Sequence, residues 1–154
     1  ILRRNLEGGP ETELCRMNAF MVEGLSVAPD GSRLVYVVTS LAPRPKQDWA
    51  IMTVAATGGE PKEVYRTPQW VHSSVWSTDG RRLFFIIGEG ESRSADVYSI
   101  PAEGGEPKPL GVRLHDLYFL TLHPNGKQIA FFDEQYDNQL WVLKNLIGRA
   151  KASR

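Results

Sequence analysis

Three histidines, His72, His115 and His123, and a single cysteine, Cys15, are the side chains of this 154-residue chain best suited to metal or nucleophilic chemistry. The histidines show no ligand spacing on a shared element. A metal centre would need His72 and the neighbouring His115 and Asp116 to meet from separate segments. No Gly-x-Ser-x-Gly elbow is present to expose a nucleophilic serine. Cys15 has no histidine near it in sequence and reads as a structural thiol rather than an activated one. Gly88-Glu89-Gly90 follows an apolar run, as a phosphate loop would. No helical pattern follows it, however, and Glu89 and Glu91 would repel an anion. The chain is therefore read without catalytic residues, metal or cofactor. What remains is recognition chemistry: the aromatic rings of Trp70 and Tyr118 among the polar side chains Glu23, Gln69, His72, His115 and Asp116. Aromatic anchors with a few charges are the usual make-up of binding hot spots.

The elements that must position those side chains recur along the chain. Residues 24–38 read GLSVAPDGSRLVYVV, 73–87 SSVWSTDGRRLFFII and 119–133 FLTLHPNGKQIAFFD, with turn glycines Gly31, Gly80 and Gly126 at intervals of 49 and 46 residues. A second marker keeps the same period: the Gly-Gly pairs of ILRRNLEGGPETEL, IMTVAATGGEPKEV and VYSIPAEGGEPKPL end at Gly9, Gly59 and Gly105, 50 and 46 residues apart. Pro-Asp-Gly, Thr-Asp-Gly and Pro-Asn-Gly are turn chemistry, because Pro presets φ, Asp or Asn tolerates a left-handed backbone and Gly adopts one freely. Leu25 and Val27 alternate with Ser26 and Ala28, as a half-buried strand requires. The runs LVYVV, LFFII and IAFF are β-branched and aromatic, as buried strands are. Third strands are expected at 49–55, 96–100 and 139–144, with fourth strands near 62–65 and 108–112 beyond each Gly-Gly hairpin. Four antiparallel strands in about 46–50 residues is the size of one β-propeller blade. No stretch shows the 3.6-residue spacing of an amphipathic helix.

Inner strands are expected at 22–28, 71–77 and 117–123. Aligned on the turn glycines, Glu23, His72 and Tyr118 share one register, Phe20, Gln69 and His115 another, and Met21, Trp70 and Asp116 a third. These positions would surround the channel mouth, where a ligand or partner would bind. The plainer alternative is that they close the loops between strands, with Trp70 packed between blades and His115 and Asp116 capping a loop.

The repeats APDGSRLVYVV, STDGRRLFFII and HPNGKQIAFF, with their GGEPK hairpins, resemble those of TolB-type β-propellers, the Pro-Asp-Gly relatives of WD-type blades. The resemblance covers about residues 1–144. It implies an all-β propeller and a module that binds a protein or peptide partner in a periplasmic or otherwise extracytoplasmic protein, with the cytoplasm as the alternative. Propellers of this kind also serve as non-catalytic domains of prolyl oligopeptidase-like hydrolases and as sensor parts of bacterial kinases or regulators. The expected organisation is the last two strands of a preceding blade at 1–16, blades at 17–66 and 67–112, an incomplete final blade at 113–144 and a basic tail at 145–154.

A propeller ring takes at least about four blades. The open side of this one is expected to attract either the missing half of the ring or further copies of the chain, so that it does not persist as a monomer. The first residue is Ile1 rather than Met, which suggests a processed chain or part of a longer one. Lys plus Arg and Asp plus Glu both number 18, and this balance argues against a nucleic-acid or polybasic membrane-surface binder. No apolar run reaches the roughly 18 residues of a membrane-spanning helix.

Overall fold

A computed structural model describes residues 1–40, 47–89, 94–115 and 117–133. Every regular element among them is a strand: β1 (Leu2–Arg3), β2 (Thr12–Glu13), β3 (Met21–Val27), β4 (Arg33–Thr39), β5 (Trp49–Ala55), β6 (Lys62–Thr67), β7 (Trp70–Trp76), β8 (Arg82–Glu89), β9 (Ser94–Pro101), β10 (Lys108–His115), β11 (Leu117–Leu122) and β12 (Ile129–Asp133). They form two four-stranded antiparallel sheets, β3-β4-β5-β6 and β7-β8-β9-β10, and two two-stranded sheets, β1-β2 and β11-β12. The third strand expected at 139–144 and the basic tail lie outside the described residues, as does most of the loop between β4 and β5.

The turn chemistry explains the repeated hairpin. In the first copy Gly31 N donates to Ala28 O at 2.8 Å, and Ala28 N donates to Arg33 O at 2.8 Å. The Asp30 carboxylate accepts from both Ser32 N (2.9 Å) and Ser32 Oγ (2.7 Å). The same loop recurs at Ser77–Arg82 and at His123–Gln128, where Asp79 and Asn125 accept from the backbone two residues on. Gly31, Gly80 and Gly126 all have φ near +70° (71°, 67° and 71°), a conformation that residues with a Cβ adopt at a cost.

The sheets stack face to face, and the period-two alternation of the central strands divides their side chains between two cores. Leu34 and Tyr36 of β4 pack with Leu14, Cys15 and Val54 against the N-terminal hairpin. Val35 and Val37 of the same strand join Trp49, Ile51, Val71, Trp76, Leu83 and Phe85 between the two four-stranded sheets. Ile86 faces the other way, into a third core with Val97 and Leu120. The inner strands β3, β7 and β11 lie side by side. At the β3–β7 crossing a Cβ on Gly24 (φ +61°) would stand 3.2 Å from Ser74 N and 3.3 Å from Ser73 Cα, so only glycine allows this approach. Glu103, on the β9–β10 hairpin, reaches back to the preceding sheet and pairs with Arg33 (2.6 Å) and Lys62 (2.8 Å).

One expectation needs correction. Leu25 and Val27 are each 57% exposed rather than half-buried, and Ala28 is the buried residue at that end of β3. The strand forms as its alternation requires, but among the described residues no element covers the face that carries these two side chains.

Candidate binding surface at the ends of the inner strands

The starts of β3, β5, β7 and β9 and the ends of β4, β6, β8 and β10 fall along one rim of the stacked sheets. The rim is built by pairing. Phe20 N donates to Thr39 O at 3.0 Å, Thr39 stands opposite Trp49 across the β4–β5 pair, and Trp49 stands opposite Thr67. Trp49 then meets the first residue of β7, its ring edge-on to Trp70 with centroids 5.9 Å apart. Trp70 in turn lies 4.7 Å from the His72 ring. Gly88 stands opposite Trp70 across the β7–β8 pair and beside the His72 ring; a Cβ there would sit in ordinary contact, 3.7 Å from His72 Nε2 and 3.7 Å from Trp70 Cβ.

The residues singled out in the sequence are distributed as follows. Trp70 and His72 are half-buried at the start of β7 and touch each other. Trp70 also packs on the core between the two four-stranded sheets. Glu23 is half-buried on β3, and Gln69 is exposed just before β7. His115 is exposed and ends β10, the outer strand of its sheet, two residues before β11 begins, because β10 pairs with β9 as far as the partners His115 and Ser94. Tyr118 is placed only by its backbone on β11, and Asp116 lies outside the described residues.

Burial pushes the Glu23 carboxyl above the usual carboxylate range and holds the His72 imidazole below its ordinary value. At both groups burial disfavours the charged form. Such a surface suits hydrogen bonding and aromatic contact more than capture of a full charge. Trp49 and Gly88 have no turn or periodicity marker in sequence that ties them to the rim. Among the described residues no group of three or more His, Cys, Asp or Glu could hold a metal ion, and Cys15 is buried with its sulfur 3.8 Å from the Tyr36 hydroxyl.

At the opposite end, a groove of about 340 Å³ opens between the inner-strand ends and their turns. Ser26, Pro29, Trp76, Thr78, Leu122 and Pro124 are among its walls. Inside it Trp76 donates from Nε1 to Ser26 O at 3.4 Å, and the Arg33 guanidinium stands 4.9 Å from the Trp76 ring centroid. No helix among the described residues is long and apolar enough to cross a membrane.

No protein-family model matches the chain. The Tol-Pal system protein TolB of Thioalkalivibrio sulfidiphilus is 33% identical over 61 residues, which is 40% of this chain and 14% of that protein. Among solved structures, the β-propeller domain of the Trilobed protease from Pyrococcus furiosus gives a TM-score of 0.57 at 12% identity, over 75% of this chain and 35% of that one. TolB from Acinetobacter baumannii gives 0.44 at 13% identity, over 84% and 42%. At such identities a structural likeness speaks to fold alone. The repeats, the sheet order and the likeness to the Pyrococcus furiosus domain make the chain a run of β-propeller blades, similar over part of its length to TolB, each full blade of four antiparallel strands, that stops short of a closed ring among the described residues.

Proposed function

We propose that the chain is a non-catalytic propeller module that binds a protein or peptide segment across the rim formed by Phe20, Gln69, Trp70 and His72, and that it forms the C-terminal portion of a larger bacterial sensor or envelope protein in the periplasm. The observation that carries this reading is the state of Phe20. It is 68% exposed and hydrogen-bonded through its backbone to the strand whose neighbour, Trp49, supports Trp70 and His72. A large apolar side chain left in water on the same rim as an aromatic cluster is a ready anchor for a partner. The burial that disfavours charge at Glu23 and His72 fits a ligand that brings backbone amides and apolar side chains.

The test is selection of displayed random short peptides on the folded chain, followed by titration of the enriched sequence. Phe20→Ala and Gln69→Ala should each weaken binding by roughly tenfold, the usual scale of a hot-spot truncation. Lys127→Ala, in the turn at the far end, should leave binding unchanged. Failure to enrich any peptide, or binding indifferent to both rim substitutions, overturns the proposal.

The likeness to the propeller domain of a protease favours a second reading, an accessory domain of a prolyl oligopeptidase-like hydrolase. A catalytic domain encoded in the same reading frame would decide for it.

A further inference from the structure

We propose that Asn125 is a modification site of this chain: its side-chain amide is lost to attack by the Gly126 backbone nitrogen when the turn between β11 and β12 opens, and the closed turn holds that reaction off. The inference does not depend on binding at the rim.

The first observation is chemical. Asparagine is a thermolabile residue. Of the asparagines in this chain only Asn125 is followed by glycine. With no Cβ on the following residue, its backbone nitrogen reaches the asparagine Cγ unhindered. Gly126 N bonds to Asn125 Cγ and gives up its proton, the Cγ–Nδ2 bond breaks, and the nitrogen leaves with that proton as ammonia. A five-membered succinimide remains. Water then adds to one ring carbonyl and breaks its bond to the ring nitrogen. Opening at Cγ gives aspartate. Opening at the main-chain carbonyl gives isoaspartate, whose main chain runs through the former side chain.

The second observation is the turn. His123, Pro124, Asn125, Gly126, Lys127 and Gln128 are all exposed, so water reaches the pair and burial gives it no protection. Hydrogen bonds do. Gly126 N donates to His123 O at 2.8 Å, and Asn125 N donates to His123 Nδ1 at 3.1 Å. Asn125 Oδ1 accepts from Lys127 N at 2.9 Å. The proton that the attacking nitrogen must lose is therefore engaged, and the amide it must reach is held by the residue beyond. Ring closure waits on a local opening that releases both.

The third observation is the other two copies of the turn, where Asp30 and Asp79 stand in the place of Asn125, each before a glycine. Ring closure at an aspartate needs the neutral acid, because water must leave. The backbone N–H and hydroxyl of Ser32 hold Asp30 below the usual carboxylate range, and the Ser77 hydroxyl and Arg81 N–H do the same for Asp79. Of the three turns, the one with the amide is thus the reactive one near neutral pH. The aspartate turns also show which product fits. Their carboxylates accept from the backbone two residues on, as Asn125 does, so the aspartate product closes the turn again. Isoaspartate adds a carbon to the main chain inside a loop fixed by Gly126 N to His123 O and by His123 N to Gln128 O at 2.9 Å. The preceding turn fills the space beside it: a Cβ on Gly126 would stand 2.8 Å from Thr78 Oγ1. The isoaspartate product leaves the turn open.

The test holds the full chain in mildly alkaline buffer, folded in one sample and unfolded by guanidinium chloride in another. Peptide mass mapping follows loss of the Asn125 amide, and methylation by an isoaspartyl methyltransferase reports isoaspartate. Conversion should be at least about tenfold slower in the folded chain, the factor that about 1.4 kcal/mol of opening free energy supplies. Asn125→Asp should keep the urea midpoint of the parent. The isoaspartate-bearing chain, isolated and returned to native buffer, should exchange its Gly126 amide hydrogen as an unfolded segment does, whereas the parent protects it. Equal conversion in the two samples, or none in the unfolded one, overturns the proposal. So does a lowered midpoint for Asn125→Asp, or a Gly126 amide still protected in the isoaspartate-bearing chain.

Discussion

The strands β3 and β7 occupy equivalent places in successive sheets, and their fates differ. Each opens its sheet, each carries an irregularity of register near its middle, and each is followed by the same aspartate-glycine turn. Yet Val71 is fully buried while Val22, the same residue type in the same register, is 45% exposed. The difference lies in the neighbour. β7 has β3 on one side and β11 on the other, whereas β3 has β7 on one side only among the described residues. Burial in this fold is thus a property of the stack. One strand contributes two faces, and each is worth something only when another sheet stands against it.

The comparison can be broken most forcefully at the two ends of that contact. Trp76→Ala removes a buried indole, its stacking under Arg33 and its bond to Ser26 O, and should cost about 3–5 kcal/mol in chemical denaturation. Val27→Ala, in the same register on β3, should stay within about 0.5 kcal/mol. A large cost for Val27→Ala in the unassociated chain would mean that something covers β3. Next in size is the crossing itself. Gly24→Ala forces a Cβ against the Ser73 and Ser74 backbone at a positive φ and should cost about 1–3 kcal/mol. Gly31→Ala, where a Cβ would meet nothing, should show the conformational part of that cost alone.

The smallest effects are titrations, and they sharpen the contrast because Glu23 and His72 share one register. Burial raises the Glu23 pKa, so its contribution to stability is present in acid and is lost as pH rises through the folded value. Glu23→Gln should therefore stabilise the chain at pH 7 and do nothing below about pH 4. His72 is shifted the other way, so its contribution is full above about pH 6.5 and is lost as pH falls toward the depressed folded value. His72→Gln should flatten that part of the stability profile. Urea midpoints across the pH range check both signs.

What was legible in the sequence was what local chemistry decides. The loops closed by Asp30, Asp79 and Asn125 are held by hydrogen bonds to residues two positions away, so the residues that specify them are adjacent in the chain. The strands that follow are equally local in origin. The Gly-Gly pairs could be read as hairpins, but their tertiary task could not. A Cβ on Gly58 would stand 3.0 Å from Leu14 O, and Gly59 N donates to the same carbonyl at 2.9 Å, so this hairpin is where one sheet seats on the one before it.

The candidate site was less legible. Trp70 and His72 do come together, yet the ring that supports them, Trp49, arrives from another strand with no marker of its own. His115 belongs to β10 because the ladder to β9 runs past the expected strand at 108–112 to the pair His115–Ser94. The exposure of Leu25 and Val27 could not be read from alternation, which says that a strand has an apolar side and not whether that side has a neighbour.

The most direct test of the account is the matched pair Val22→Ala and Val71→Ala, measured by urea denaturation at concentrations low enough to keep the chain monomeric. The account predicts a loss of about 2 kcal/mol for Val71→Ala and less than about 0.5 kcal/mol for Val22→Ala, although the residue and the register are the same. Equal losses at the two positions would contradict it, because they would mean that β3 and β7 are buried alike and that the stack has no open face.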